Sequence, residues 1–396
     1  MKKKSVGLWM AVGVCFVPAM ALADDAPAAA PAGPTLSQIL VNSGITVAGY
    51  VDASYEASFN STSGLTTGEI KLHEFDTNSN TFEVNQAALT VSYLPTSGFG
   101  ALVNVIAGED AKVINATMSP GSSSDIALTQ AYAQYAVGNL TVIGGRFVTL
   151  AGEEVINDTA NANISRSLLF TNLEPLVHTG VRATYKVIDP LSVTLGVNNS
   201  ADGVSADTDK HKTLEANVAY TPTTAITVAL TDYYGIDGAS AESKVNYSDF
   251  VASWQATTAL LVAANLDYVH TASNIAGTPT TNAEGGALYA SYQLTDSWKA
   301  SLRGEYLRTN PGGPVGFVLV GGTPTPVSAT SSDVAELTAT VDYSASKSFD
   351  VLGEVRDDYG TALYFPSAYN STSGAQKSQA EVLVKAIYKF GTPTGS

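Results

Sequence analysis

The sequence predicts an all-β fold: a transmembrane antiparallel β-barrel of about sixteen strands, with short periplasmic turns and long extracellular loops. Three observations predict it. Charged residues make up 14% of the 396-residue chain, against about 25% in soluble domains. From Ile45 onward apolar residues alternate with small polar ones at a period of two. The connections between these segments alternate between short and long, as they do in outer-membrane barrels.

The first 23 residues stand apart from this pattern. Lys2, Lys3 and Lys4 precede an apolar stretch from Val6 to Val17, and Ala21-Leu22-Ala23 forms an A-x-A cleavage site. These are the parts of a secretory signal peptide, expected over 1–23. An Ala/Pro-rich periplasmic segment is expected over 24–44, the barrel over 45–390 and a short tail over 391–396. Leu36 to Val41 is long enough for one helical turn.

The alternation is clearest from Val177 to Val187. Val177, Thr179, Val181, Ala183, Tyr185 and Val187 share one face, and His178, Gly180, Arg182, Thr184 and Lys186 share the other. Leu191–Asn198 and Glu381–Phe390 repeat the pattern. Sixteen such segments are found, at about 45–59, 81–94, 98–109, 125–137, 139–149, 176–188, 190–198, 212–220, 224–235, 246–256, 259–270, 284–294, 297–308, 333–343, 347–358 and 379–390. A tilted membrane-spanning strand needs about 9–11 residues. In lipid a sheet must close on itself, because an open edge leaves backbone groups unpaired. An even strand count with a strand at each end puts both termini in the periplasm. The alternative of a soluble β-sandwich or solenoid does not require the alternation of short and long connections.

Aromatic residues mark the membrane borders. Tyr93, Tyr185, Tyr220, Tyr292, Trp298, Tyr343, Tyr388 and Phe390 lie next to short turns and predict the periplasmic girdle. Phe59, Tyr234, Tyr247, Tyr268 and Tyr306 are assigned to the outer one.

Charge and composition exclude several function classes. The formal charge is −16, and signal cleavage removes three lysines and no acids, taking it to −19. Nucleic acid is therefore not an expected partner. The one cysteine, Cys15, lies in the signal, so thiolate metal sites and disulfides are not expected in the mature chain. The four histidines are scattered, and neither a G-x-S-x-G elbow nor an H-E-x-x-H helix occurs. No enzyme activity and no cofactor are predicted. Asp202, Asp207 and Asp209 make an acidic loop without the spacing of a helix–loop–helix calcium site.

Sixteen strands enclose a bore wide enough for water. Charged residues on the inner face then tune selectivity. Asp52, Lys186, Arg303, Glu305 and Arg356 are the expected lumen-lining charges, with Glu56, Glu215, Glu336, Glu354, Glu381 and Lys385 beside them. The connection 150–175 is long and polar, and it carries Glu153, Glu154, Asp158 and Arg166. Arg146 and Arg182 flank it. It is the candidate constriction, expected to fold inward and hold its carboxylates apart from an arginine cluster across a transverse field.

Several motifs resemble the putative β-barrel porin-2 family. They are Gly145-Arg146-Phe147-Val148-Thr149, Gly152-Glu153, Ser165 to Phe170 and His178-Thr179-Gly180-Val181-Arg182. Upstream, Gly49 to Tyr55, Asn85-Gln86-Ala87 and Gly108-Glu109-Asp110 resemble its opening strands. The likeness is good over about 45 to 190 and looser beyond. It implies an outer-membrane porin fold of a Gram-negative bacterium, without a defined solute. Such barrels commonly end on an aromatic residue, whereas here Phe390 is followed by Gly-Thr-Pro-Thr-Gly-Ser.

The functional expectation is a water-filled channel for passive diffusion of ions and small hydrophilic solutes. It is weakly cation-preferring because carboxylates outnumber bases. Outer-membrane lipid, lipopolysaccharide and two further copies in a homotrimer are the expected partners. The alternative is a plugged, non-conducting barrel that acts as an adhesin or display scaffold, for example through the loop 309–332.

Overall fold

The computed structural model describes residues 36–60, 70, 72–73, 75–76, 78–119, 121–201, 210–237, 243–273, 280–310, 332–361, 365–366 and 375–392. The signal peptide 1–23, the linker 24–34, most of the loop 309–332, the end of the tail and the acidic loop of Asp202, Asp207 and Asp209 lie outside them.

A short helix α1 (Leu36–Ser43) leads into β1 (Thr46–Ser58). The wall continues with β2 (Thr81–Tyr93), β3 (Gly98–Ala107), β4 (Ile126–Val137), β5 (Leu140–Val148), β6 (Val177–Ile188), β7 (Leu191–Asn198) and β8 (Thr213–Thr223). Its second half is β9 (Ile226–Asp237), β10 (Ser243–Gln255), β11 (Leu260–Ser273), β12 (Thr281–Thr295), β13 (Trp298–Asn310), β14 (Ser332–Ser346) and β15 (Phe349–Gly360). Two-residue strands β16 (Phe365–Pro366) and β17 (Ala375–Gln376) pair with each other in the last long connection, and β18 (Ser378–Gly391) completes the wall. The barrel is closed: β18 pairs antiparallel with both β15 and β1, in register from Ala48↔Gly391 to Ser58↔Glu381. Closure leaves no sheet edge, which is what a lipid solvent demands.

The period-two pattern sorts the side chains. Leu195, Leu266, Leu288, Leu302 and Leu337 point outward and are more than half exposed. Their strand neighbours Thr194, Asn265, Ala287, Ser301 and Thr338 are buried inside. All eight aromatics assigned to the periplasmic girdle are exposed. On the outer side Phe59, Tyr234, Tyr268 and Tyr306 are exposed, but Tyr247 is not. It shares the inner face with Val245 and Asp249, and its hydroxyl donates to Asp267 at 2.9 Å. Strand parity, rather than aromatic character, decided its side.

Leu288 is the midpoint of β12 and meets lipid. Leu288→Arg is expected to cost about 2–4 kcal/mol. Urea unfolding of the reconstituted barrel, followed by tryptophan emission, measures it.

Three further long connections carry structure among the described residues. Residues Glu109–Met118 form helix α2, whose Ala111, Ile114 and Met118 are buried against the wall residues Ile106 and Ala127. Gly108 to Asp110, read as part of an opening strand, instead turns into this helix, with Gly108 at φ +134°. The connection after β5 holds a 3₁₀ turn at Asp158–Ala160 and helix α3 (Leu168–Asn172). Ser167 caps α3 by accepting from the Phe170 N–H. Part of the connection 60–80 packs inside as well, with Phe75 against Phe170 at 5.6 Å.

Candidate functional site

The segment from Thr149 to Leu176 runs across the bore. Two glycines, one just before it and one near its start, accept conformations other residues resist. Gly145 sits at φ +135°, and a Cβ there would lie 2.3 Å from the Ala131 carbonyl oxygen. Gly152 sits at φ +87°, and a Cβ there would lie 1.9 Å from Glu174 Oε2. Only a residue without Cβ fits either site comfortably.

The segment begins on β9 to β11. Leu150 N–H donates to the Tyr233 hydroxyl at 3.2 Å, Gly152 N–H to Asp249 Oδ1 at 3.2 Å and Glu153 N–H to Asn265 Oδ1 at 2.8 Å. Ser253 donates to Glu153 Oε2 at 3.0 Å. The segment next reaches the opposite wall. Asp158 N–H donates to the Tyr50 hydroxyl on β1 at 3.2 Å, and Gln86 on β2 donates to Ile156 O at 2.8 Å. Asp158 also pairs with Lys385 of β18 and with Arg166. In the closed strand order β1 and β9 stand eight places apart among sixteen, on opposite sides.

The return run is fixed to β13, β14 and β15. Glu354 accepts from Ile164 N–H at 2.6 Å and Ser165 N–H at 2.9 Å. Glu305 accepts from Leu168 N–H at 2.8 Å and Leu169 N–H at 3.2 Å, satisfying the free donors that start α3. Arg303 is the hub. It is fully buried, 2.7 Å from Glu154 Oε1, 3.2 Å from Glu336 and 3.4 Å from Glu305. It also donates to Ser165 O at 2.7 Å. Arg356 donates to Arg166 O at 2.6 Å and pairs with Asp358 at 3.0 Å.

The structure thus brings Glu153, Glu154, Asp158 and Arg166 of the segment together with Arg303, Glu305 and Arg356 of the wall. Asp52 is close by, accepting from Gln86 N–H at 2.6 Å and lying 3.6 Å from Lys385. The expected separation of charges is absent. Glu154 and Asp158 touch Arg303 and Arg166 directly, so their charges cancel locally and serve as pins. Burial alone pushes the Asp158 carboxyl up, but Arg166 and Lys385 beside it hold it below the usual carboxylate range. Glu174, which has no such partner, is pushed well above it by burial and by Asp267 and Asp249.

Three predicted residues stand away from the hub. Arg182 faces the bore but pairs with Glu215 at 2.6 Å and lies over the Phe147 ring at 4.2 Å. Lys186 is half exposed near a short turn and pairs with Asp189 at 2.9 Å. Arg146 is the clear departure. It shares a ladder row with Thr179 and Ala131, on the face opposite Phe147 and His178, and donates to Leu128 O at 2.9 Å. Phe147 occupies the inward position because it packs on Arg182, and alternation then turns Arg146 outward. Sequence reading did not single out Tyr233 or Asn265, and it named Tyr50 and Gln86 only within the motifs that resemble the family. Each is an uncharged partner set by a contact between distant parts of the chain.

Space remains beside the segment. A cavity of about 320 Å³ lies between it and β2 to β4, lined by Thr90, Asn104, Thr129, Asn157 and Thr159 among others.

The family model for putative β-barrel porin-2, OmpL-like, matches residues 44–390. The chain belongs to this family. The match takes in every strand of the closed wall, all but the last residue of β18, and supports an outer-membrane channel. Solved porins share the fold at low identity. The anion-selective porin from Comamonas acidovorans is 11% identical with a TM-score of 0.58, covering 87% of this chain and 99% of that one. The outer membrane channel DcaP of Acinetobacter baumannii is 12% identical with a TM-score of 0.57, covering 87% and 97%. OmpT of Vibrio cholerae in its trimer form is 13% identical with a TM-score of 0.58, covering 87% and 99%. No curated protein matches the chain in sequence.

Proposed function

We propose that this barrel passes ions and small hydrophilic solutes by passive diffusion, with weak preference for cations and with the segment 150–175 as its constriction. The carrying observation is the chain of hydrogen bonds that holds this segment from β9 to β1 across the bore. The cavity beside it is read as the remaining passage; its wall mixes hydroxyl and amide groups such as Thr90, Asn104 and Thr129 with apolar ones such as Ile106, Phe170 and Leu176.

Cation preference follows from charge. Among the described residues sixteen Asp and Glu are buried, against five Lys and Arg. The pinned pairs cancel, and the surplus carboxylates leave the interior negative. The reading includes a cleaved signal peptide, contact with outer-membrane lipid and lipopolysaccharide, and a homotrimer like the trimer form of OmpT. No catalytic step and no cofactor form part of it. A KCl gradient across a planar bilayer holding the barrel tests the selectivity. A reversal potential of the sign set by K⁺ flow is expected, and one of the opposite sign would overturn the cation preference.

One observation favours a second reading. Phe75, Ile156, Ile164 and Phe170 pack inside the barrel with Ile106, Leu383 and Ile387 of the wall. Such a cluster fits a plugged barrel used for display, which would give no current at all.

A further inference from the structure

Glu56, His73, Asp76 and Glu381 lie together near the extracellular end of the bore, where β1 and β18 meet the first long connection. One ligand atom from each lies within 4.8 Å of all the others, and all four residues are buried. The sixteen-strand wall does not need this arrangement. Three carboxylates close together are costly in an interior unless a cation joins them.

The hydrogen bonds point the same way. Glu381 is 1% exposed, and neither of its carboxylate oxygens has a hydrogen-bond partner. Glu56 Oε1 and Asp76 Oδ1 are likewise buried without one. His73 Nε2 is 3.0 Å from Asp358 Oδ2, a carboxylate that Arg356 already holds at 3.0 Å. Donation from Nε2–H to Asp358 turns Nδ1 toward the cluster, 2.7 Å from Asp76 Oδ2 and 3.7 Å from Glu381 Oε2. A carboxylate behind a histidine whose other nitrogen faces a group of acids is the outer-shell arrangement of protein metal sites.

We propose that His73 Nδ1 and the carboxylates of Glu56, Asp76 and Glu381 bind one first-row divalent cation of the zinc class. One nitrogen and three oxygens suit such an ion better than Mg²⁺ or Ca²⁺, which take oxygen sets. Zinc–nitrogen and zinc–oxygen distances of about 2.0–2.2 Å place the ligand atoms of a tetrahedral set about 3.3–3.6 Å apart. The four ligand atoms, all within 4.8 Å of one another, would have to draw together to that spacing around the ion. The bound ion ties the first long connection to β1 and β18. A single proton on His73 satisfies Asp76 but leaves Glu381, 3.7 Å from Nδ1, without a hydrogen bond, and this is why the cluster calls for more charge than a proton supplies.

Zn²⁺ titration of the metal-stripped barrel, extracted in detergent from the outer membrane of an expressing host, tests the assignment by calorimetry. One saturable site per chain is expected, unaffected by excess Mg²⁺. Glu381→Gln should weaken it by at least about tenfold and Asp358→Asn by about 10–100-fold, while His270→Ala, outside the cluster, leaves it unchanged. Heat-modifiable mobility on a gel shows that each variant is folded. Absence of a saturable site, or equal affinity in Glu381→Gln, would overturn the proposal. The titration records no current, so its outcome is independent of whether the barrel conducts.

Discussion

Deleting residues 153–165 raises the single-channel conductance several-fold. The deletion removes the stretch that reaches from Glu153 on the β10–β11 side to Ile156 and Asp158 on the β1–β2 side. It leaves the sixteen-strand ladder intact, since that ladder is closed by pairing of β1 with β18 and by the neighbouring strands. A sixteen-strand wall without an obstacle has the bore of an open porin, and current follows the narrowest cross-section. The deletion also removes Glu154 and Asp158, the partners of Arg303 and Lys385. Arg303 keeps Glu305 and Glu336, and Lys385 keeps Asp52. Glu153, Glu154 and Asp158 leave the lumen and no base leaves with them, so cation preference should fall while conductance rises. Conductance equal to that of the intact chain would show that the segment does not set the narrowest point.

Replacing Arg303 has the largest expected effect on stability. Arg303→Ala leaves Glu154, Glu305 and Glu336 buried around an empty place. Removing one partner from a buried charge group costs about 3–5 kcal/mol, because the remaining charges lose compensation they cannot recover from water. The loss also releases the Ser165 carbonyl, so the return run of the segment loosens. Conductance should lie between those of the intact chain and the deletion. Lys186→Ala makes the contrast. Its pair with Asp189 is solvated, and such pairs contribute little, so the urea midpoint should not move. A midpoint for Arg303→Ala equal to that of Lys186→Ala would contradict the role given to the hub.

The wall was legible in the sequence because lipid imposes a strict rule on it. Each strand must show lipid an apolar face, and the period of two follows. Short turns and long loops differ in length, so the two sides of the membrane could be told apart. The exceptions arise where one residue's type argues against its parity. Tyr247 looks like a girdle residue but stands in line with Asp249, and Arg146 looks like a lumen charge but stands next to Phe147. Helix α2 was missed because ten residues with Ala111, Ile114 and Met118 on one face make a weak helical signal inside a long connection.

The inward segment was partly legible. Its charges marked it as unlike an ordinary loop, and Arg303, Glu305 and Arg356 were assigned to the lumen by parity. Which wall group meets which segment group was not legible. Glu354 with Ile164, and Asn163 with Thr340 at 2.7 Å, are contacts across more than 170 residues, and no local pattern encodes them. The same holds for His73. It lies in a polar connection, and only folding of that connection into the bore sets it beside Glu56 and Glu381.

The central claim is that a continuous water path passes the pinned segment. Single-channel recording of the intact barrel, isolated from the outer membrane and inserted in a planar bilayer, tests it most directly. The proposed function predicts stable stepwise openings of uniform size, smaller than those of the 153–165 deletion. A folded barrel that inserts yet gives no steps, while the deletion conducts, would contradict the claim and identify the segment as a plug.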